Sequence, residues 1–325
     1  MLEPSQLSDI LDAIQRSFTV FPDCEVTIEA SPENVTRAVA AAWAASGVNR
    51  VSLGVQSMVT DELRAVGRLH DEHTVAEAFT ALRAAGIYNI SADLIAGLPK
   101  QTALSWERSL RALLELEPQH FSVYMLEVDD DSRLGREMLQ QGERYHAGDV
   151  PSEDAVAEYY CAAMDLLRAS GFDHYEISNF ARPGRRSRHN QKYWTNAPYF
   201  GFGADAHSYD GERRWCNTDS VVAYVESIEK NVTAILEQQA LCRREKLEER
   251  IFLGLRCRDG ISVSRLDEEF ASELSPPAHS VREQYREPIT EFSQAGWLES
   301  EGDRLRLTDR GVLFSNEVFA GFLLQ

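Results

Sequence analysis

Cysteine is scarce and scattered in this sequence. Its five cysteines, Cys24, Cys161, Cys216, Cys242 and Cys257, form no Cys-x-x-Cys pair and no Cys-x-x-x-Cys-x-x-Cys group. On sequence alone they supply no ligand set for an iron–sulfur cluster or a structural zinc. An odd, dispersed set fits a reducing compartment with incidental thiols. Long apolar runs are also lacking, and none approaches the roughly 20 residues that a membrane-spanning helix requires. The opening Met1-Leu2-Glu3-Pro4-Ser5-Gln6-Leu7 has neither the basic start nor the apolar centre of a secretory leader. These absences predict a cytoplasmic protein. Positive charge is short as well: Lys plus Arg is 33 against 52 for Asp plus Glu, a net charge of −19. A field of that sign repels phosphate backbones and argues against a nucleic-acid partner. A phosphate-cradling glycine loop is missing too. Gly97-Leu98-Pro99-Lys100-Gln101-Thr102 has one glycine and a proline where such a loop needs Gly-x-x-x-x-Gly-Lys-Ser/Thr.

What remains is ordinary for a globular chain of 325 residues, with 43% hydrophobic and 26% charged residues, enough for two or three domains. Its organising stretch runs from Val26 to Leu126. Four short apolar runs recur there: Val26–Glu29, Val51–Gln56, Ile90–Ile95 and Phe121–Leu126. Segments with helical spacing of apolar residues lie between them, which is the pattern of parallel βα units. Each run ends near a group that can do chemistry: Glu29, Gln56, Asp93 and Tyr124. In a βα barrel the C-terminal ends of the strands meet on one face, where sites are built. The plainer alternative is that these residues cap the helices that follow.

A first helix is expected over Pro4 to Phe18, with Ser5 or Ser8 as cap, and further helices over Thr36–Ser46, from Thr60 with Thr60 as cap, Val75–Ala85 and Ser105–Leu116. After Tyr124 comes a charged connector containing Asp129-Asp130-Asp131-Ser132, read as solvated loop with a hard cation as the lesser alternative. A helix over Ala155–Ser170 and a strand over His174–Phe180 follow. Arg182-Pro183-Gly184-Arg185-Arg186-Ser187-Arg188 is the one strongly basic run, either a solvated loop or a seat for carboxylates or phosphates. His189-Asn190-Gln191-Lys192-Tyr193-Trp194 stands directly after it, and Gly201 to Ser208 reads as a small-residue loop. From about Leu241 three helices and the hairpin Trp297–Leu307 read as a winged-helix-like module. Such modules often bind DNA, yet Arg282-Glu283-Gln284-Tyr285-Arg286-Glu287 balances its charges and shows no basic stripe.

Several strings occur in one order: Glu29, Gly54-Val55-Gln56-Ser57, Gly67-Arg68-Leu69-His70, Asp93-Leu94-Ile95-Ala96-Gly97-Leu98-Pro99-Lys100-Gln101-Thr102, Tyr175-Glu176-Ile177-Ser178-Asn179-Phe180-Ala181 and His189-Asn190-x-x-Tyr193-Trp194. Together they resemble the HemW family, radical S-adenosylmethionine (SAM) haem chaperones related to oxygen-independent coproporphyrinogen III oxidase. The resemblance covers essentially the whole chain. It implies that Glu29, Gln56, Arg68 and Asp93 hold SAM, with Tyr124 and Met125 beside the adenine; a match for His207 is less secure. It also implies that His189, Asn190, Tyr193 and Trp194 contact haem. Histidine and tyrosine are both haem-iron ligands. Trp194 would add an aromatic face, and Arg185, Arg186 and Arg188 could pair with propionates. A histidine hydrogen-bonded within a core loop is the alternative for His189.

The resemblance has a gap. The family begins with a strand, a Cys-x-x-x-Cys-x-x-Cys loop that ligates a [4Fe–4S] cluster, and a second strand ending in Gly-Gly-Gly-Thr-Pro-Ser; neither motif occurs here. Met1–Leu7 aligns with residues just after that glycine loop. The expectation is therefore an α/β chain starting inside the barrel: an incomplete radical SAM (β/α) TIM-like barrel with four of six βα units and a connector over residues 1–150, an α+β HemW-type extension over 151–240, and the winged-helix-like module over 241–325. The implied function is binding of haem and its delivery to acceptor proteins. SAM and a [4Fe–4S] cluster are the family's cofactors, the cluster ligands being missing here, so no competent radical enzyme is expected of this chain. Contact with a membrane, if any, would come through an acceptor. The alternatives are an oxygen-independent coproporphyrinogen III oxidase, against which the His189–Trp194 string speaks, and a winged-helix regulator that binds nucleic acid.

Overall fold

The computed structural model describes residues 2–127, 136, 137, 140, 142, 144–274 and 280–323. The acidic triplet Asp129–Asp131 lies outside them. The chain divides into two compact units, Met1–Arg186 and Ser187–Gln325.

The first unit is built on a six-stranded sheet in the order β1-β2-β3-β4-β6-β5. The strands are β1 (Thr27–Ala30), β2 (Arg50–Gln56), β3 (Asn89–Ala96), β4 (His120–Met125), β5 (Asp173–Glu176) and β6 (Asn179–Ala181). Strands β1 to β4 run parallel in sequence order. Each expected apolar run is thus a strand, with its boundaries moved by one residue. Among the described residues the sheet does not close, and β1 and β5 are its edges.

Period-two alternation divides the two faces of this sheet. Val51, Leu53 and Val55 of β2, Ile90, Ala92, Leu94 and Ala96 of β3, and Phe121 and Val123 of β4 are all buried. Helices α2 (Arg37–Ala45), α4 (Glu72–Ala84) and α5 (Ala103–Glu115) supply Trp43, Phe79, Leu82, Trp106, Leu110 and Leu113 to the same core. Trp106 is held by its indole N–H, which donates to Tyr159 O at 2.7 Å from the helix Glu153–Ala169. The opposite face is polar. Its rows, read across the register, include Thr27, Arg50 and Asn89, then Glu29, Ser52, Ser91 and His120, then Asp93 and Ser122.

Three local expectations are corrected. The segment His174–Phe180 is a tight hairpin rather than one strand. It turns at Ile177-Ser178, and Asn179 Nδ2 donates to Glu176 Oε1 across the turn. The first helix, α1 (Pro4–Ser17), is capped by Glu3 and Gln6 rather than by Ser5 or Ser8, with Glu3 N–H donating to Gln6 Oε1 at 2.9 Å. Thr60 is the first residue of α3 (Thr60–Ala65), not its cap, because Val59 holds the cap position and its N–H is taken by Ser57 Oγ at 2.9 Å. Glu62, in the first turn of α3, is buried and accepts from Ser57 Oγ at 2.6 Å.

In the second unit lies a three-stranded antiparallel sheet, β7 (His207–Tyr209), β8 (Arg213–Asn217) and β9 (Ile235–Ala240), whose first strand begins at the end of the expected loop Gly201–Ser208. The helix Val221–Glu229 sits between β8 and β9 in the chain. It has no buried residue, and Val221, Val222, Val225 and Ile228 form an exposed apolar stripe. The C-terminal module has the expected helices and hairpin. It adds a short strand, β10 (Ile261–Ser262), that pairs with β12 (Arg304–Leu307), itself paired with β11 (Leu298–Glu301). Its expected third helix is broken at Tyr285 into Val281–Gln284 and Arg286–Gln294. Among the described residues no helix is long and apolar enough to cross a membrane.

Candidate functional site

The polar face of the first sheet gathers the expected strand-end residues. Asp93 is its centre, a half-buried carboxylate midway along β3. Ser52 Oγ lies 3.0 and 2.8 Å from its two oxygens, and Ser91 Oγ donates to Oδ1 at 3.1 Å. Burial pushes the Asp93 carboxyl above its usual range, while hydrogen bonds from Ser122, Ser52 and Ser91 and the charge of Arg50 pull it back. Tyr124, at the top of β4, is exposed on the same side. Burial of its hydroxyl end, with the carboxylates of Asp93, Glu176 and Glu29, pushes its phenol up. Three carboxylates from three strands therefore act on one tyrosine. Glu29 is exposed beside Ser52 in the β1–β2 register, and Met125 is half-buried.

Gln56 ends β2 with φ of 65°, a conformation uncommon for a residue with a side chain. Its amide folds back over Gly54, where any Cβ would lie 2.9 Å from Gln56 Nε2. Gln56 Oε1 is buried and has no hydrogen-bond partner among the described residues, so it is an acceptor awaiting a donor. Arg68 reaches the loop after β1, donating to Ser31 Oγ at 3.4 Å. The buried His70 fixes that corner. One ring nitrogen lies 3.1 Å from Glu33 Oε2 and the other 2.9 Å from Val55 O, which ties the 3-10 turn Pro32–Asn34 to β2.

The loop Gly97–Thr102 is not a phosphate seat in this fold. Gln101 fills it: Gln101 Oε1 accepts from Gly97 N–H at 2.6 Å, and its Nε2 donates to Ile95 O at 3.2 Å.

The second set of expected residues lies on the helix Arg188–Trp194, capped by Ser187, which accepts from Asn190 N–H at 3.3 Å. Helical spacing splits the set into two faces. His189 and Tyr193 share one, with ring centroids 5.0 Å apart at 79°. Tyr193 continues to Tyr199 at 4.7 Å, and Tyr199 to Tyr209 at 6.5 Å. Burial, then the neighbouring Tyr199, pushes the Tyr193 phenol up. Asn190 and Trp194 share the other face. Trp194 carries the Arg256 guanidinium 4.2 Å above its ring, so it anchors this helix to Arg243–Arg256. His207 opens β7, exposed, and its carbonyl would lie 2.2 Å from a Cβ at Gly201. Of the basic run, Arg186 is paired with Asp173 at 2.6 Å, and Arg182 lies 4.1 Å over the Phe172 ring.

None of the five cysteines is in a disulfide, and two of them, Cys242 and Cys257, stand at opposite ends of the helix Arg243–Arg256; among the described residues no three His, Cys, Asp or Glu side chains are grouped to hold a metal. The residues present do not fit a [4Fe–4S] cluster.

Two domain families match this chain: the Radical SAM superfamily over residues 1–113 and the HemN C-terminal domain over residues 241–314. The heme chaperone HemW of Bacillus subtilis is 35% identical over 323 residues, covering 99% of this chain and 82% of the relative. The heme chaperone HemW of Lactococcus lactis is 34% identical over 327 residues, covering 100% and 82%. Among solved structures, coproporphyrinogen III oxidase (HemN) from Escherichia coli, a radical SAM enzyme, superimposes with a TM-score of 0.83 at 22% identity. It covers 99% of this chain and 74% of that one, a likeness of fold.

Proposed function

Since this chain belongs to the HemW family of radical SAM proteins, we propose that it binds haem and passes it to acceptor proteins. The observation that carries the reading is the pairing of His189 and Tyr193 on one helix face, ring to ring at 5.0 Å. Imidazole and phenolate are both ligands for haem iron, and the two lie one helical turn apart. Either of them can meet the iron while the other packs on the porphyrin edge. Trp194, under the Arg256 guanidinium, holds the helix that presents them.

SAM is the second small molecule of this reading, and the polar sheet face suits it. Arg68 is suited to a carboxylate, Glu29 and Asp93 to amino and hydroxyl donors, and the unpartnered Gln56 Oε1 to a further donor. Tyr124 and Met125 would flank the adenine. When bound to a reduced cluster, SAM supplies radical chemistry. The cysteine set here does not fit that cluster.

The test is a titration of the purified chain with haem, followed in the Soret band. One site is expected for the wild type, and His189→Ala with Tyr193→Phe should abolish the specific spectrum. A wild-type spectrum unchanged in the double variant would overturn this reading.

A further inference from the structure

Beneath Asp93 the polar face continues into a run of contacts that the SAM reading does not use. Ser91 Oγ is 3.1 Å from Asp93 Oδ1 and 2.8 Å from His120 Nδ1. His120 Nε2 is 2.8 Å from the Tyr175 hydroxyl. All of Ser91, His120 and Tyr175 are buried, His120 and Ser91 completely. With the Ser91 hydroxyl given to an ionised Asp93, one pattern of protons follows. A carboxylate only accepts, so Ser91 spends its single O–H on Asp93. Ser91 Oγ then accepts, and His120 must donate from Nδ1. The ring is neutral: burial, then the like charge of Arg50, holds its pKa well below the usual histidine range. A neutral ring protonated on Nδ1 carries its lone pair on Nε2, and the Tyr175 hydroxyl donates there. Every donor in the run points toward Asp93.

We propose that Tyr175, His120 and Ser91 form a one-way hydrogen-bond chain that holds the Asp93 carboxylate ionised and correctly turned for SAM. His120 and Tyr175 are thereby positioning residues of the SAM site. This rests on the reading above that Asp93 holds SAM. The chain matters because Asp93 is under strain from its surroundings. Burial favours its neutral form, and Glu29 and Glu176 add negative charge around the adjoining Tyr124. Arg50 opposes them, and Tyr124 completes the groups that face it. A carboxylate in such a place is kept charged by the donors that reach it. Hydrogen bonds in sequence polarise one another, so the terminal Tyr175 acts on Asp93 without touching it.

Two measurements on the full chain test this. Long-range nitrogen–proton NMR of histidine-labelled protein, with His120→Gln used for assignment, reads the tautomer directly. A neutral ring protonated on Nδ1 at pH 7 is expected; an Nε2–H ring or an imidazolium would overturn the proposal. Equilibrium dialysis with SAM reads the consequence. Tyr175→Phe keeps the ring and loses the donor, and it should weaken binding by about three- to tenfold at pH 7. Losing a donor raises the Asp93 pKa, so the pH at which affinity falls should move upward in this variant. Affinity and pH profile both unchanged would overturn the positioning role while leaving SAM binding intact. No binding by the wild type would overturn the SAM reading itself, and the positioning role with it. Should His120→Gln fail to fold, Tyr175→Phe and the spectral comparison with His174→Gln carry both tests.

Discussion

Two of the sheets, the six-stranded one and the three-stranded β7-β8-β9 sheet, treat their side chains in opposite ways. In the six-stranded sheet one face is wholly committed to packing, and Val51, Leu53 and Val55 are buried side by side. Its other face is reserved for Arg50, Ser52, Asp93 and His120. In the three-stranded sheet, β9 exposes all six of its residues, and Ile235 and Leu236 are among them. Burial on one face lets the first sheet carry a costly polar surface on the other, since the packed helices stabilise what the buried charges oppose. The second sheet has no such reserve. It is held by local pairs such as Arg214–Glu249 at 2.8 Å and the Phe200–Trp215 ring contact.

This contrast can be broken or sharpened by substitution. The largest effect is expected from Leu53→Ala, which empties a fully buried site on the packed face. It should lower unfolding stability by about 2–5 kcal/mol in a urea titration. A loss as small as that of a surface change would break the comparison. Next comes His189→Ala, which should cost about tenfold in haem affinity, or about 1.4 kcal/mol, with little change in melting temperature.

Asp93→Asn should do the reverse, abolishing SAM binding and raising the melting temperature at pH 7 by a few degrees. The sign follows from its raised pKa. The folded state holds the Asp93 proton more tightly than the unfolded chain does, so the stability it contributes is present at low pH and is lost as pH rises through the folded value. His120 has the opposite sign. Its depressed pKa means that only the unfolded chain takes up that proton as pH falls below 6.5. Stability should therefore decline below that pH, and His120→Gln should flatten the decline. The smallest effect belongs to the other sheet: Leu236→Ser should change stability by no more than about 0.5 kcal/mol.

The same contrast decides what could be read from the sequence. The four parallel strands were legible because β-branched and apolar residues on the packed face make dense runs such as Ile90–Ile95. Strands β8 and β9 were not, because Arg-Arg-Trp-Cys-Asn and Ile-Leu-Glu-Gln-Gln-Ala carry no alternation, β8 being only partly covered and β9 exposed on both faces. The hairpin at Ile177-Ser178 was hidden because nearly every residue of both its strands is buried and no glycine or proline marks the turn. In the candidate site the strand-end residues were legible from position alone. Ser52, Ser91 and His120 were missed although a signal existed: polar residues recur at every second position in Ser91-x-Asp93 and His120-x-Ser122-x-Tyr124. In a parallel sheet both faces are usually apolar, so polar residues at period two mark an interior face kept for a ligand. Trp194 could not be assigned from the string His-Asn-x-x-Tyr-Trp, because only the helix phase separates its anchoring side from His189 and Tyr193.

The stripe of Val221, Val222, Val225 and Ile228 has a practical consequence at the bench. An environment-sensitive dye that brightens on apolar surfaces will find a contiguous patch of them on the native chain. Its fluorescence should start high before any heating, and a dye-based melt would report the patch as partial denaturation. Circular dichroism or emission from the buried Trp106 would follow the true transition.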